Sequence, residues 1–140
     1  LMTSTTTELS LDEIFNLAKA ALINNGANEE NADAVATTVT NAERDGSVSH
    51  GLFRIPGYVK ALQSNKVDGS AKPEIEEVTP TIFRCDAHNG FAPLAHKHGL
   101  QKLIQAAQAF GIAGLAIQRC HHFAALGPKL KQSVMKASLA

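Results

Sequence analysis

The first part of the chain shows two amphipathic patterns of helical period. Apolar side chains follow the 3.6-residue period after Ser10, which forms a capping-box signature with Glu13, and Gly26 ends the pattern. A second helix is predicted between Asn28, a residue type favoured at a helix N-cap, and Gly46, a residue type favoured just beyond a helix C-terminus. Two such helices joined by a short turn predict an antiparallel pair.

The pattern changes in the middle of the chain. A third helix is predicted from about Gly51 to Gln63, with Pro56 in or near its first turn. The polar, glycine- and proline-containing residues 66–80 form a connector with room for one short strand. Residues 81–86 then alternate between apolar and polar side chains, as in a half-buried strand.

The next patterned region combines a helix with a strand. A helix is predicted between Asn89, as its N-cap, and Gly111, as its stop. The small apolar residues 112–120 are typical of a buried strand. A helix that leads into such a strand indicates a mixed α/β or α+β fold. The pattern predicts a helical unit over residues 1–66, an α/β part over 67–126 and a basic tail over 127–140.

Charge and cysteine content narrow the classes of function. Thirteen basic and thirteen acidic residues give no net charge, whereas binding to nucleic acid or to an anionic membrane needs a basic surface. Cys85 and Cys120 are too few for a disulfide scaffold and lack a metal-binding spacing. The sequence has no signal-peptide pattern and no apolar run of membrane-spanning length. We therefore expect a cytoplasmic protein with a small-molecule partner, and neither nucleic acid nor membrane.

Ser49, His50 and Arg54 form the first candidate site. A histidine titrates near neutral pH, so that a positioned imidazole can protonate a carbonyl or imine as it is reduced. The adjacent serine could orient that proton, and an arginine one helical turn away could hold a substrate carboxylate. The residues therefore describe a site for a small 2-oxo or 2-imino acid. A helix-capping serine, a histidine in a first helical turn and a surface arginine would give the same pattern without a site.

The second candidate site follows the predicted buried strand, where α/β proteins place ligand-binding loops. It contains His121 and His122, of which one is expected to face a ligand, followed by the small residues Ala124 and Ala125. Two histidines in an ordinary loop are the alternative. Adjacent histidines lack the spacing of a helical zinc site, so we expect no metal. No Rossmann or P-loop glycine motif occurs.

Three segments together resemble one enzyme family. The segments ERDGSVSHGLFRIPGY, NGFAPLA and HHFAAL resemble the type-2 malate/L-lactate dehydrogenase family, and are most similar to its Δ1-piperideine-2-carboxylate/Δ1-pyrroline-2-carboxylate reductase branch. The resemblance spans about residues 9–126. It implies an oxidoreductase that uses NADPH or NADH, forms a homodimer and contains no standard Rossmann domain. The α/β part would then be the start of an incomplete, non-Rossmann NAD(P)-binding domain behind the helical unit.

The resemblance also implies roles for individual residues. Ser49 and His50 match a catalytic pair with His50 as the proton donor, and Arg54 matches an arginine that binds the substrate carboxylate. In some branches the acid/base role belongs to the position of His122, so the identity of the proton donor stays open. The expected cofactor-binding residues are His122, Phe123, Ala124, Ala125 and Leu126.

Two departures from the family pattern affect the expected activity. Cys120 stands where the branch has a serine, and Gly127 stands where it has a tryptophan, after which the match fades. We therefore expect the N-terminal portion of an NAD(P)H-dependent reductase of a small cyclic 2-imino acid, inactive as a 140-residue chain. A malate, L-lactate or other 2-hydroxyacid dehydrogenase is the alternative within the same class. A truncated, non-catalytic interaction module is the alternative from another class.

Overall fold

The computed structural model describes residues 6–121, which confirm the mixed α/β class. Their helices and strands, in chain order, are α1 (Leu11–Asn24), α2 (Glu29–Arg44), α3 (Ile55–Gln63), β1 (Glu74–Thr79), β2 (Ile82–Asp86), α4 (Ala92–Phe110) and β3 (Gly114–Gln118). Two 3₁₀ turns, Val48–His50 and Leu52–Arg54, lie between α2 and α3. We refer to residues 47–54 as the His50 turn.

The ends of the first two helices are those predicted. The Glu13 amide donates to Ser10 Oγ at 3.2 Å, and the Ser10 amide donates to Glu13 Oε2 at 2.7 Å. The side chain of Asn28 accepts from the Asn31 amide at 3.0 Å and caps α2. Gly46 has a φ of +75° just after α2, a conformation that glycine adopts without steric cost. Local polar signals therefore determine where these helices begin and end.

The predicted start of the third helix is wrong. The helix begins at Ile55 rather than near Gly51, and Pro56 lies in its first turn as expected. Gly51 has a ψ of −141°, which is incompatible with a helix at that position. The Leu52 amide donates to the Glu43 carboxylate instead of joining a helical ladder. This contact between Leu52 and Glu43 of α2 replaces the predicted first turn of the helix. The spacing of apolar residues from Gly51 to Gln63 does not reveal such a contact.

The three strands of the described residues form a mixed sheet in the order β1-β2-β3. β1, which is the short strand allowed for in the connector, pairs antiparallel with β2, and β2 pairs parallel with β3. Helix α4 connects the two parallel strands, as such a connection requires. Cys85 lies between Ile75 and Ile117 in register, and all three belong to the apolar cluster of this part.

Strand β3 is less buried than predicted. It lies at the end of the described strand order, and its side chains are half-buried or exposed. Leu115 and Ile117 pack towards the cluster that contains Ala95 of α4. Ile112, just before the strand, is 78% exposed. A run of small apolar residues predicts a strand, but it does not reveal whether both faces are covered.

The start of α4 also differs from the prediction. Asn89 does not cap it: this residue has a φ of +61°, and its side chain donates to the Lys66 carbonyl at 3.1 Å. Phe91 occupies the N-cap position, and Pro93 lies in the first turn. Gly111, with a φ of +84°, ends the helix as predicted. Asn89 therefore links the strand ends to the connector.

The larger apolar core belongs mainly to α1, α2 and α3. Val67 and Phe91, which lie beyond the predicted unit boundary at residue 66, are buried in the same core. The division at residues 66 and 67 therefore stays a prediction. Within residues 6–121, no helix has both the length and the apolar character needed to cross a membrane.

Candidate functional site

The His50 turn is built directly onto the end of α2. After Arg44, the left-handed conformation of Gly46 reverses the chain. The Ser47 amide then donates to the Ala42 carbonyl at 2.8 Å, and the His50 amide donates to the Ser47 carbonyl at 2.9 Å. These two hydrogen bonds fix the backbone that carries His50 relative to a helix whose inner face is buried.

Two serine hydroxyls meet the His50 ring at the same nitrogen. Ser49 Oγ lies 3.1 Å and Ser47 Oγ lies 3.2 Å from His50 Nδ1. A hydroxyl can donate or accept, so that the serines can hold Nδ1 in either protonation state by rotating a hydrogen. Sequence reasoning identified Ser49 but missed Ser47. A serine three residues before a histidine lies above it in a 3₁₀ turn, and this spacing is the signal that could have revealed Ser47.

Arg54 contacts Ser49 through a hydrogen bond that the sequence did not predict. The predicted shared helical face of His50 and Arg54 is wrong, because the backbone between them forms two 3₁₀ turns. Arg54 Nε instead donates to the Ser49 carbonyl oxygen at 2.8 Å. In the described part of the chain Arg54 forms no ion pair with a carboxylate, and Ser49 makes no capping hydrogen bond to α3. Ser49 therefore contacts both the imidazole and the guanidinium.

A chain of aromatic rings connects this region to the end of β3. The Tyr58 and Phe91 rings pack edge to face with centroids 5.7 Å apart, and the Phe91 and His121 rings do so at 6.1 Å. Burial raises the pKa of Tyr58, against a smaller opposing effect of Arg54. Burial, helped by Lys66, lowers the pKa of His121 and favours its neutral form. The α3 residues and the end of β3 therefore share one packed contact.

Charged side chains hold the carboxyl ends of the parallel strands together. Arg119 Nη2 donates to Asp86 Oδ2 at 2.5 Å, and Arg119 Nε lies 3.0 Å from Asp86 Oδ1. These hydrogen bonds to Arg119, with one from the His88 amide, lower the pKa of Asp86 to about 2. His88, Asn89 and Arg119 all have positive φ values. Non-glycine residues in this region cost energy, and such strain concentrates near functional sites.

Cys85 and Cys120 lie within the described residues, whereas the predicted cofactor-binding residues do not. Burial raises the pKa of the Cys85 thiol to about 11, so that this thiol stays protonated and unreactive at neutral pH. Cys120 is half-buried against the same cluster. Within residues 6–121, no group of three or more histidine, cysteine, aspartate or glutamate residues could hold a metal ion. The predicted cofactor-binding residues His122, Phe123, Ala124, Ala125 and Leu126, and the tail at 127–140, lie outside the described residues.

Comparison with known proteins identifies the family. Residues 9–138 match the family model described as malate/L-lactate dehydrogenase. The chain belongs to the malate/L-lactate dehydrogenase family. Its relatives include the Δ1-pyrroline-2-carboxylate reductase of Ancylobacter novellus, which is 45% identical over 132 residues, or 94% of this chain and 38% of the relative. The Δ1-pyrroline-2-carboxylate/Δ1-piperideine-2-carboxylate reductase of Pseudomonas syringae pv. tomato is 43% identical over 126 residues, or 90% of this chain and 37% of the relative.

Solved structures of family members share the fold of the described residues. A crystal structure of Δ1-piperideine-2-carboxylate reductase from Pseudomonas syringae has a TM-score of 0.87 at 42% identity and is matched by 91% of this chain. Malate dehydrogenase from Entamoeba histolytica has a TM-score of 0.86 at 26% identity and is matched by 94% of this chain. The chain spans 38% and 37% of those two structures, respectively. The predicted family and the predicted resemblance to its reductase branch are thereby confirmed.

Proposed function

We propose that this chain supplies the substrate-binding and proton-donating part of an NAD(P)H-dependent reductase of small cyclic 2-imino acids. One observation carries the proposal: Ser49 contacts His50 through its hydroxyl at 3.1 Å and Arg54 through its carbonyl at 2.8 Å. A 2-imino acid carries its basic nitrogen and its carboxylate on the same carbon. Ser49 holds a proton donor and a carboxylate-binding group next to each other, which suits a substrate whose nitrogen and carboxylate are also close together. The relatives named as reductases of pyrroline- and piperideine-2-carboxylate support this substrate class.

In this proposal each side chain has one task. Arg54 binds the substrate carboxylate, because its planar guanidinium can form two parallel hydrogen bonds with a carboxylate. His50, held at Nδ1 by the serines, presents Nε2 and donates a proton to the imine nitrogen. Ser47 and Ser49 keep the ring oriented while its charge changes. His122 is the alternative donor, because the resemblance to other branches of the family gives its position the acid/base role.

We place the nicotinamide cofactor at the carboxyl ends of the two parallel strands. The parallel strands β2 and β3 end at Asp86 and Gln118, and ligands of α/β sheets bind beyond the carboxyl ends of such strands. We assign the contacts with NADPH or NADH to residues 122–126, which follow this edge directly. When bound, the cofactor supplies hydride for the imine carbon. Residues 1–66 would form the helical unit, residues 67–126 the first part of the cofactor domain and residues 127–140 a basic tail, in a cytoplasmic homodimer.

Reduction of 2-oxo acids is the second candidate. The malate dehydrogenase of Entamoeba histolytica has nearly the same fold over these residues. A proton donor beside a carboxylate-binding arginine also suits a carbonyl oxygen next to a carboxylate. In that case His50 would donate the proton to the carbonyl oxygen, Arg54 would bind the carboxylate, and the bound cofactor would supply the hydride that forms malate, L-lactate or another 2-hydroxyacid.

Steady-state kinetics of a full-length protein that carries this chain test the proposal. Oxidation of NADPH and NADH is followed with Δ1-piperideine-2-carboxylate, Δ1-pyrroline-2-carboxylate, pyruvate and oxaloacetate, and the His50→Gln variant serves as the control for residual activity. We expect the highest kcat/KM with a cyclic imino acid. A higher kcat/KM with an oxo acid would favour the second candidate. If the protein turns over none of these substrates but binds a partner protein, a non-catalytic interaction module would be favoured.

A further inference from the structure

Glu43 lies in the last turn of α2, and no site role has been given to it above although it begins the first of the three segments that resemble the family. Its Oε1 accepts a hydrogen bond from the Leu52 amide at 2.8 Å. Leu52 lies between the proposed proton donor His50 and the proposed carboxylate-binding residue Arg54. The Glu43 carboxylate therefore ties α2 to the middle of the His50 turn.

The carboxylate fits into space that only glycine leaves open. A Cβ at Gly51 would lie 2.0 Å from Glu43 Oε1, 2.4 Å from Cδ and 2.7 Å from Cγ. Gly51 has a φ of −88°, so no left-handed conformation requires a glycine there. The missing side chain is needed because the Glu43 carboxyl group occupies its place. Glu43 and Gly51 thus form one fitted contact.

The position of Glu43 is unfavourable for the helix that carries it. A carboxylate near a helix C-terminus opposes the helix dipole, whereas a cation such as Arg44 in the same turn favours it. The hydrogen bond from the Leu52 amide offsets this unfavourable interaction with the helix dipole. The neighbouring Val39 and Ala42 are fully buried, so that the carboxylate extends from a firmly packed part of α2.

We propose that Glu43 is a positioning residue that sets the spacing of His50 and Arg54 by holding the Leu52 amide. This role rests on the proposed function. Loss of the contact would free the backbone between the two side chains, while Ser49 would still bind both of them. A displacement of about 1 Å in a catalytic site costs about 10²-fold in rate. The chemical step would therefore be affected more than cofactor binding.

One conservative variant and two disruptive variants test the contact. Glu43→Gln retains an oxygen that can accept from the Leu52 amide, Glu43→Ala removes it, and Gly51→Ala introduces a Cβ in the occupied space. Glu29→Ala is the matched control, because Glu29 lies on the same helix and its exposed carboxylate pairs with Lys19, away from the His50 turn. Circular dichroism of each variant checks that it keeps the helix content of the parent chain.

Nuclear magnetic resonance of this chain gives a readout that does not depend on activity. In Glu43→Ala and Gly51→Ala we expect amide exchange at Leu52 to accelerate about tenfold, as for the loss of one hydrogen bond. The His50 ring resonances should shift, and Glu43→Gln and Glu29→Ala should leave both signals as in the parent chain. Unchanged Leu52 exchange in Glu43→Ala would overturn the proposal.

Kinetics of the full-length protein give the second readout. We expect Glu43→Ala to lower kcat by about 10²-fold with an unchanged KM for NADPH or NADH, and Glu43→Gln to restore most of the rate. If Glu43→Gln is as slow as Glu43→Ala, the charge matters rather than the position, and the positioning role is wrong. If the parent protein reduces no substrate while the Leu52 signals respond as expected, the proposed function fails and the contact stands.

Discussion

Replacing Phe91 by leucine should destabilise the fold at the junction between the helical core and the end of β3. Phe91 is 1% exposed, and its ring packs edge to face against both Tyr58 and His121. Leucine keeps an apolar side chain in the core but removes both ring contacts. Each such contact contributes about 0.5–1.5 kcal/mol beyond burial, so that the free energy of unfolding should fall by about 1–3 kcal/mol.

Urea unfolding measures this loss. Tyr58 is the only tyrosine and the chain has no tryptophan, so that intrinsic fluorescence reports on the ring next to Phe91. Phe110→Leu is the matched control, because Phe110 is 59% exposed and its replacement should change the free energy by less than about 0.5 kcal/mol. Equal unfolding free energies for Phe91→Leu and Phe110→Leu would refute the reasoning, since the two ring contacts would then contribute nothing.

Three further predictions concern the site and the strand ends. In the full-length protein, Arg54→Lys should lower kcat/KM about 10- to 100-fold despite its retained charge, because an ammonium group cannot form the paired hydrogen bonds of a guanidinium; unchanged kinetics would return Arg54 to a surface role. His50→Gln should lower turnover by about 10²–10⁴-fold with unchanged cofactor affinity; if His122→Ala does so instead, His122 is the donor. Asp86 has its pKa lowered from 3.8 to about 2, chiefly by Arg119. Asp86→Asn should therefore be less stable than the parent at neutral pH, and this difference should shrink as the pH falls from about 4 towards about 2.

Local signals in the sequence were sufficient for the N-terminal ends of α1 and α2 and for the C-terminal ends of α2 and α4. The capping box of Ser10, the Asn28 cap and the positive φ of Gly46 and Gly111 all depend on groups within a few residues of one another. Such groups interact in the same way whatever lies further along the chain. They could therefore be identified without knowledge of the tertiary contacts.

Contacts between distant residues account for the errors. Asn89 is of a residue type that often caps helices, yet its side-chain amide donates a hydrogen bond to the backbone carbonyl of Lys66, 23 residues away in sequence. The start of α3 is displaced by Glu43, nine residues from Leu52. Spacing indicated that Ser49, His50 and Arg54 lie together, but the hydrogen bonds that join them depend on two 3₁₀ turns that no periodicity predicts.

The parallel pairing of β2 with β3 also constrains the order in which the chain can fold. Helices α1, α2 and α3 and the hairpin of β1 and β2 can form most of their contacts once residue 86 has been synthesised, and Phe91 then completes the helical core. Strand β3 must wait until the whole of α4 has been made, because Ile82 pairs with Gly114. During synthesis the residues of the His50 turn therefore leave the ribosome well before His121, which packs against Phe91. The residues that we assign to the substrate are therefore in place before β3 is complete, and the residues that we assign to the cofactor are synthesised after it.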